Sequence, residues 1–300
     1  MVFRFYNLIL NMKNISAVIV VKGSPVHLPK VISSVEDLVK EIIIVDIGID
    51  AELKTKLRDN EIIRIIEIKD EVPYVELIRD KTKDFVKSEY IFFLDPDEIV
   101  PSGLKTIIRE KLDAFDYFKI PRKNITFGRW IRHSRWWPDY QVRLFKKDKV
   151  IWPKIIHRQP KVTGNGYTVE PKEEFALLHH NYQNIDEYLS KFQRYAKYEA
   201  KEIFESKKDL TFSNAIARAL NEFISRYFAG EGYKDGSQGL VLAFLQMFYY
   251  LIVYFYYLEM KKFKVEGKIN EEEFFRKGLK ETLYWKKEKN LWEKILSKIL

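Results

Sequence analysis

Glu89-Tyr-Ile-Phe-Phe-Leu-Asp-Pro-Asp-Glu98 is the stretch on which the reading of this chain turns. Tyr90 to Leu94 is an apolar run without polar alternation, which predicts a strand buried on both faces, as in a parallel sheet. Polarity then flips, and Asp95, Asp97 and Glu98 arrive around Pro96. In an open α/β sheet, ligands bind beyond the carboxyl ends of the strands. Carboxylates gathered there repel one another unless a cation or a positive ligand lies among them. An isolated Asp-x-Asp also serves as an acidic turn capping the next helix, here from Pro101 onward, so the flanking sequence has to decide.

Upstream, the pattern repeats. Ile15 to Val21 is an apolar strand closed by Lys22-Gly-Ser-Pro25, and Leu28 to Val39 follows with helical periodicity. Glu41 to Asp46 is a second strand with an acid at its end, and Ala51 to Asn60 a charged helix. Ile62 to Ile68 is a third strand and Pro73 to Lys87 a further helix, with proline in the first turn where its missing N–H costs nothing. Strands and helices alternating over short connections predict a doubly wound, mainly parallel sheet. Neither Gly-x-Gly-x-x-Gly nor a Walker lysine loop follows strand one, which disfavours dinucleotide and P-loop folds. Asp46 is suited to accept hydrogen bonds from a nucleoside. Asp95 and Asp97 are suited to a hard divalent ion, because magnesium takes one or two carboxylates plus the substrate's own phosphate oxygens.

The 300 residues allow one large α/β domain with an appendage, and 46% hydrophobic with 32% charged residues excludes wholesale disorder. Cysteine is absent, so there is no disulfide scaffold, thiol nucleophile or thiolate zinc site. A formal charge of +9 calls for an anionic partner. The abundance of aromatics late in the chain favours a membrane surface or a carbohydrate over nucleic acid, which is not expected. Met1 to Met12 lacks a signal-peptide layout, and Met12 is a possible alternative start.

Ile15 to Asp50, with Val45-Asp-Ile-Gly48, and Phe93-Leu-Asp-Pro-Asp-Glu98 together resemble the inverting family 2 glycosyltransferases of GT-A fold. Three further segments narrow the likeness: Pro121-Arg-Lys-Asn124, Gly128-Arg-Trp-Ile-Arg-His133 and Pro138-Asp-Tyr-Gln-Val-Arg-Leu-Phe145. They resemble the lipopolysaccharide-core β-glucosyltransferase subgroup. The resemblance implies Asp139 as the general base, Asp95 and Asp97 as ligands of Mg2+ or Mn2+, and His179 completing the metal shell or touching the diphosphate. It implies that Asp46, Lys22, Arg79, Asp95, Arg132, His133, Gln141, Arg143 and His157 bind the donor, its phosphates or the acceptor. For Arg79 the alternative is a surface bridge to Glu76 or Asp80. Glu98 is expected to cap the turn. The subgroup's Val-His-Glu appears here as Ile156-His-Arg158, a departure that removes an acid. The implied donor is a nucleotide-sugar, with a UDP-sugar expected, and the acceptor a glycolipid or lipid-linked saccharide at the cytoplasmic face of the membrane.

The expected organisation is a catalytic domain over 1–183 and a helical region over 184–300. The latter holds helices from Asn184 to Lys207 and Phe212 to Phe228, a glycine-punctuated connector, and the apolar segment Gly239–Leu258. Twenty apolar residues are long enough to span a bilayer. Lys261, Lys262 and Lys264 flank the segment, and its tyrosines suit the interface. Membrane association at the cytoplasmic face is expected in preference to packing as a buried helix or dimer seam, with no choice made between spanning and re-entrant placement. The lack of a polar face argues against a surface-lying helix. The Lys- and Trp-rich tail from Asn270 is suited to anionic headgroups. Two alternatives stand beside this reading: a nucleotidyltransferase, and a basic membrane-tethered binding protein with a degenerate acidic site.

Overall fold

The computed structural model describes residues 14–70, 72, 75–153, 159–264, 271–286 and 288–299. Met1 to Met12, the start of the helix expected from Pro73, and His157 lie outside them.

The chain divides into two compact units, Met1–Ile125 with Pro138–Asn181, and Thr126–Trp137 with Tyr182–Leu300. The first is α/β. In chain order it runs β1 (Ile15–Gly23), α1 (Leu28–Val35), β2 (Glu41–Ile49), α2 (Ala51–Arg58), β3 (Ile63–Glu67), α3 (Glu76–Thr82), β4 (Tyr90–Leu94), β5 (Glu98–Ile99) and α4 (Ser102–Lys111). It continues as β6 (Tyr117–Thr126), β7 (Arg129–Trp130), β8 (Asp139–Lys146), β9 (Val150–Ile151), β10 (Lys161–Val162), β11 (Gly166–Thr168) and β12 (Leu177–Tyr182), with β7 falling in the second unit.

The main sheet has the order β3-β2-β1-β4-β8-β6-β12-β5. β1 pairs in parallel with β2 and β4, and β2 with β3, while β8 runs antiparallel to both β4 and β6. Alternate side chains of each strand enter different layers. Ala17, Ile19, Ile42 and Ile44 pack with Leu28, Val31 and Val35 of α1 and with Leu104 and Ile108 of α4. Val18, Ile43, Val45 and Phe93 pack with Ile78 of α3, and with Phe145 and Trp152. All five residues of β4 are buried, as a run apolar on both faces requires.

The second unit is helical: α5 (Ile185–Glu205), α6 (Phe212–Ile224), α7 (Gly236–Met260), α8 (Glu271–Trp285) and α9 (Leu291–Ile299). Asn184 and Thr211 start α5 and α6 by accepting the amides of Glu187 and Asn214, caps worth about 1 kcal/mol each. Alanines at 196, 200 and 215 let α5 and α6 approach α7 at Val253, Tyr254 and Tyr257. Segment 126–137 belongs to this unit, because Ile131 is buried with Tyr188 and Leu242, and Phe127 and Trp136 pack around them. The expected division at 183/184 instead assigns that segment to the catalytic domain.

One glycine fixes how α7 begins. A Cβ on Gly239 would stand 1.9 Å from the carbonyl oxygen of Gly232, and backbone cannot swing aside as a side chain can. We expect Gly239→Val to cost about 1–3 kcal/mol through overpacking, read as a lowered thermal midpoint. An unchanged midpoint would show that the close approach is dispensable.

Candidate active site

The acidic strand end is neutralised by arginine. Asp95 follows β4, and its Oδ1 accepts from Arg79 Nη2 at 3.0 Å while its Oδ2 accepts from Arg143 Nη2. The turn beyond closes on itself: Glu98 N donates to the Asp95 carbonyl at 3.1 Å, and Asp95 N donates to Glu98 Oε2 at 3.0 Å. This is the turn-capping role expected of Glu98, but the residue does more. It is 0% exposed, and its Oε1 accepts from Arg143 Nη2 at 2.6 Å and from Arg122 Nη1 at 3.2 Å.

Strand register supplies the rest. Arg122 of β6 lies opposite Asp139 of β8, and Ile120 opposite Gln141. With side chains alternating along each strand, Arg122 and Asn124 share a face with Asp139, Gln141 and Arg143. Asp139 Oδ2 accepts from Arg122 Nε at 2.9 Å, Arg122 Nη2 at 2.5 Å and Asn124 Nδ2 at 3.1 Å. Its Oδ1 accepts from Gln141 Nε2 at 2.8 Å. Asn124 then passes the network to β12, with its Oδ1 2.5 Å from His179 Nδ1. His179 lies across from Glu98 in the β12–β5 pairing, and its Nε2 is 3.7 Å from Asp97 Oδ1.

These contacts set the ionisation. Burial pushes the Asp95 carboxyl up, but Arg143, Arg79 and Arg122 outweigh it and hold the group well below the usual carboxylate range. Asp139 follows the same pattern: burial raises it, while Arg122 and the hydrogen bonds from Asn124 and Gln141 bring it below its ordinary value. Both are therefore carboxylates at neutral pH.

Three expectations are corrected here. Arg143, expected on phosphate or acceptor, is 1% exposed and spent on Asp95 and Glu98. Arg79 bridges neither Glu76 nor Asp80 but Asp95, with its guanidinium 4.8 Å from the Trp152 ring centroid. Asp95, Asp97 and His179 do not form a three-ligand cage: among the described residues no group of three or more His, Asp or Glu is arranged to hold a metal. The physical reason is that both Asp95 oxygens already face guanidinium groups. Asp97 and His179 stand 3.7 Å apart at the same strand end.

Asp46 also spends its carboxylate at home. Its Oδ1 accepts the amides of Gly48 and Ile49, both at 2.8 Å, and its Oδ2 is 2.8 Å from Lys54 Nζ. Burial raises this carboxyl, but Lys54 and the two amides hold it below its ordinary value. The residue thus fixes the last residues of β2, where Gly48 takes φ +118°. Lys22 is exposed near the end of β1 and passes 4.0 Å from where a Gly48 Cβ would stand.

Arg132 and His133 belong to the second unit. His133 N and Nδ1 meet Asp235 at 2.9 and 3.0 Å, and the Arg132 guanidinium stacks 4.1 Å from the Trp130 ring centroid. Ser134 and Arg135 next to them have φ +61° and +66°. Hydrogen bonds from Ser134 N to Gly230 O and from Arg226 Nη1 to Ser134 O secure that strained turn.

Three site residues escaped the sequence reading as functional: Arg122, Asn124 and Glu98. The Arg-x-Asn spacing of β6 was the available signal, since residues two apart on a strand share a face.

No protein-family model matches the chain. Among solved structures, it is similar to residues 1–349 of S. aureus TarS, at 14% identity over 91% of this chain and 80% of that one, with a TM-score of 0.42. The same TarS fragment in complex with UDP gives 14% identity, the same coverage and a TM-score of 0.43. The bifunctional IspDF from Campylobacter jejuni is 12% identical over 55% of this chain and 52% of that one, with a TM-score of 0.35.

Proposed function

We propose that the protein is an inverting glycosyltransferase of GT-A type, related to family 2. It would move a sugar from a nucleotide-sugar, with UDP-sugar the expected donor, to a membrane-associated saccharide or glycolipid at the cytoplasmic face. The observation that carries this reading is Asp139, a carboxylate tied through Arg122 to Glu98 and through Asn124 to His179 near the carboxyl end of β4. A single positioned carboxylate is what direct displacement at an anomeric carbon requires of the protein.

In the reaction, Asp139 Oδ1, the oxygen that accepts from Gln141, takes the proton of the acceptor hydroxyl. The acceptor's hydroxyl oxygen forms its bond to the anomeric carbon as the bond to the diphosphate oxygen breaks, inverting the carbon. Arg122 and Asn124 hold the other Asp139 oxygen and so fix the direction from which the base acts. A divalent ion held by Asp97 and His179 would neutralise the charge developing on the leaving diphosphate. Asp46 and Lys22 shape the β1 and β2 strand ends, where a nucleoside would lie in a sheet of this topology. Arg132, stacked on Trp130, and His133, fastened by Asp235, are read as anion-binding groups.

The test is nucleotide binding with and without manganese. The wild-type chain is expected to bind UDP more tightly with Mn2+, and Asp97→Ala to lose that gain by about tenfold or more. Unaltered metal-dependent UDP binding in the variant would sink the assignment of Asp97. Absence of any nucleotide binding by the wild-type chain would sink the whole reading.

A further inference from the structure

α7 is the one helix, among the described residues, long and apolar enough to cross a bilayer, yet its inner face is already in use. Gly239, Leu242, Ala243, Val253, Tyr254 and Tyr257 are buried against α5, α6 and the turn before α7. Polar links reinforce that packing: Gln246 Nε2 donates to Tyr188 Oη at 2.5 Å, and Tyr249 Oη to Glu199 Oε2 at 2.7 Å. The partners cannot follow α7 into hydrocarbon. α5 exposes Asp186, Arg194, Lys197, Lys201, Glu202 and Glu205, and α6 exposes Arg218. Charged side chains are costly at the centre of a bilayer.

The outer face of α7 is different. Val241, Phe244, Phe248 and Phe255 are exposed, with Leu251 and Ile252 half-buried between them. At 100° per residue these six fall within one stripe opposite the buried face. Only 28% of the most apolar window of this helix is buried, so it is not a core helix. Exposed Lys234 stands before the stripe, and exposed Lys262, Phe263 and Lys264 stand after it. The second unit carries 24 lysines and arginines against 17 aspartates and glutamates, which is +7 of the chain's +9. α9 adds a second exposed apolar face through Leu291, Trp292, Ile295 and Ile299, alongside Lys294 and Lys298.

We propose that the second unit docks in the plane of an anionic bilayer through the outer stripe of α7, without crossing it. The sequence argued against a surface-lying helix because α7 has no polar face of its own. In the folded unit α5 and α6 supply one, so that an all-apolar helix behaves as the immersed edge of an amphipathic layer. Basic residues at both ends of the stripe then meet the headgroups. The proposal stands apart from the donor chemistry.

The test uses the full chain, which contains no cysteine. Purified protein is mixed with sealed vesicles of phosphatidylcholine, with or without phosphatidylglycerol, and sedimented. Binding is expected to the anionic vesicles and to weaken with salt. Phe248→Asp and Phe255→Asp, at exposed positions and with the fold checked by circular dichroism, are each expected to weaken it about tenfold. Ser237→Cys and Lys264→Cys mark the two ends of α7. Both thiols are expected to react with an impermeant maleimide added outside. One thiol protected until detergent is added would show a crossing helix and overturn the proposal. So would failure to bind anionic vesicles, or self-association in solution that Phe248→Asp abolishes while vesicle binding is absent.

Discussion

Arg143→Met is expected to remove about 3–5 kcal/mol of stability, the range for breaking a buried ion pair by deleting one partner. A domain of this size has about 5–15 kcal/mol in total, so the variant should sit near the limit of folding. Arg143 joins the acid that ends β4 to the acid of the next turn, and both it and Glu98 are shut off from water. Without the guanidinium, Glu98 keeps Arg122 at 3.2 Å, and Asp95 keeps Arg79 at 3.0 Å. Neither remaining arginine bridges the two acids. Urea unfolding monitored by tryptophan fluorescence measures the loss, and Arg143→Met with Glu98→Gln should recover part of it because the buried charge goes with its partner. The pH dependence carries the sign. The Asp95 carboxyl is depressed in the folded chain, so its contribution is complete above the unfolded value of about 3.9 and is lost as pH falls below it. The gap between wild type and variant should therefore narrow in acid. A variant within about 1 kcal/mol of wild type at neutral pH would show that the network is not a keystone of the fold.

The arginine network also shows where the sequence stopped being informative. The uninterrupted apolar runs at Ile15, Glu41 and Tyr90 announced strands buried on both faces, and these strands form as read, β2 extending past Asp46 to Ile49. Acids at two strand ends marked places where cations gather. What could not be read was which cation answers the acids. Arg79 and Arg143 are 16 and 48 residues from Asp95, and only the β4–β8 register brings Arg143 alongside. Arg143 was expected on a ligand because the family resemblance implied it. Once its strand was central in the sheet, its charge had to be paired internally. The 126–137 segment shows the same dependence on distant partners. It lies between strands in the sequence, whereas Ile131 finds its buried partners at Tyr188 and Leu242, far along the chain. Pattern along a chain reports an element's burial, and the partner that buries it comes from elsewhere.

Asp139→Asn should lower sugar transfer by about 10²–10⁴-fold, the usual contribution of a positioned general base, while leaving nucleotide binding unchanged. The substitution is close to isosteric. An asparagine oxygen turned toward Arg122 still accepts its N–H groups, so the antiparallel pairing of Arg122 with position 139 persists. What disappears is the ability to accept a proton. The alternative is that Asp139 only counters Arg122, and kinetics separates the two. A charge partner alone would show reduced stability with transfer restored at low temperature, whereas a base shows a loss of turnover at saturating donor with the donor's KM unchanged. The wild-type acid limb is a second signature. Because Arg122 holds Asp139 below its ordinary value, activity should persist to the acid side of the usual aspartate range before the base is protonated. In the variant, residual transfer should lose that limb. Retention of near wild-type turnover by Asp139→Asn, with donor still bound, would move the base to another carboxylate, and Asp97, one-fifth exposed beside His179, would be the next to substitute.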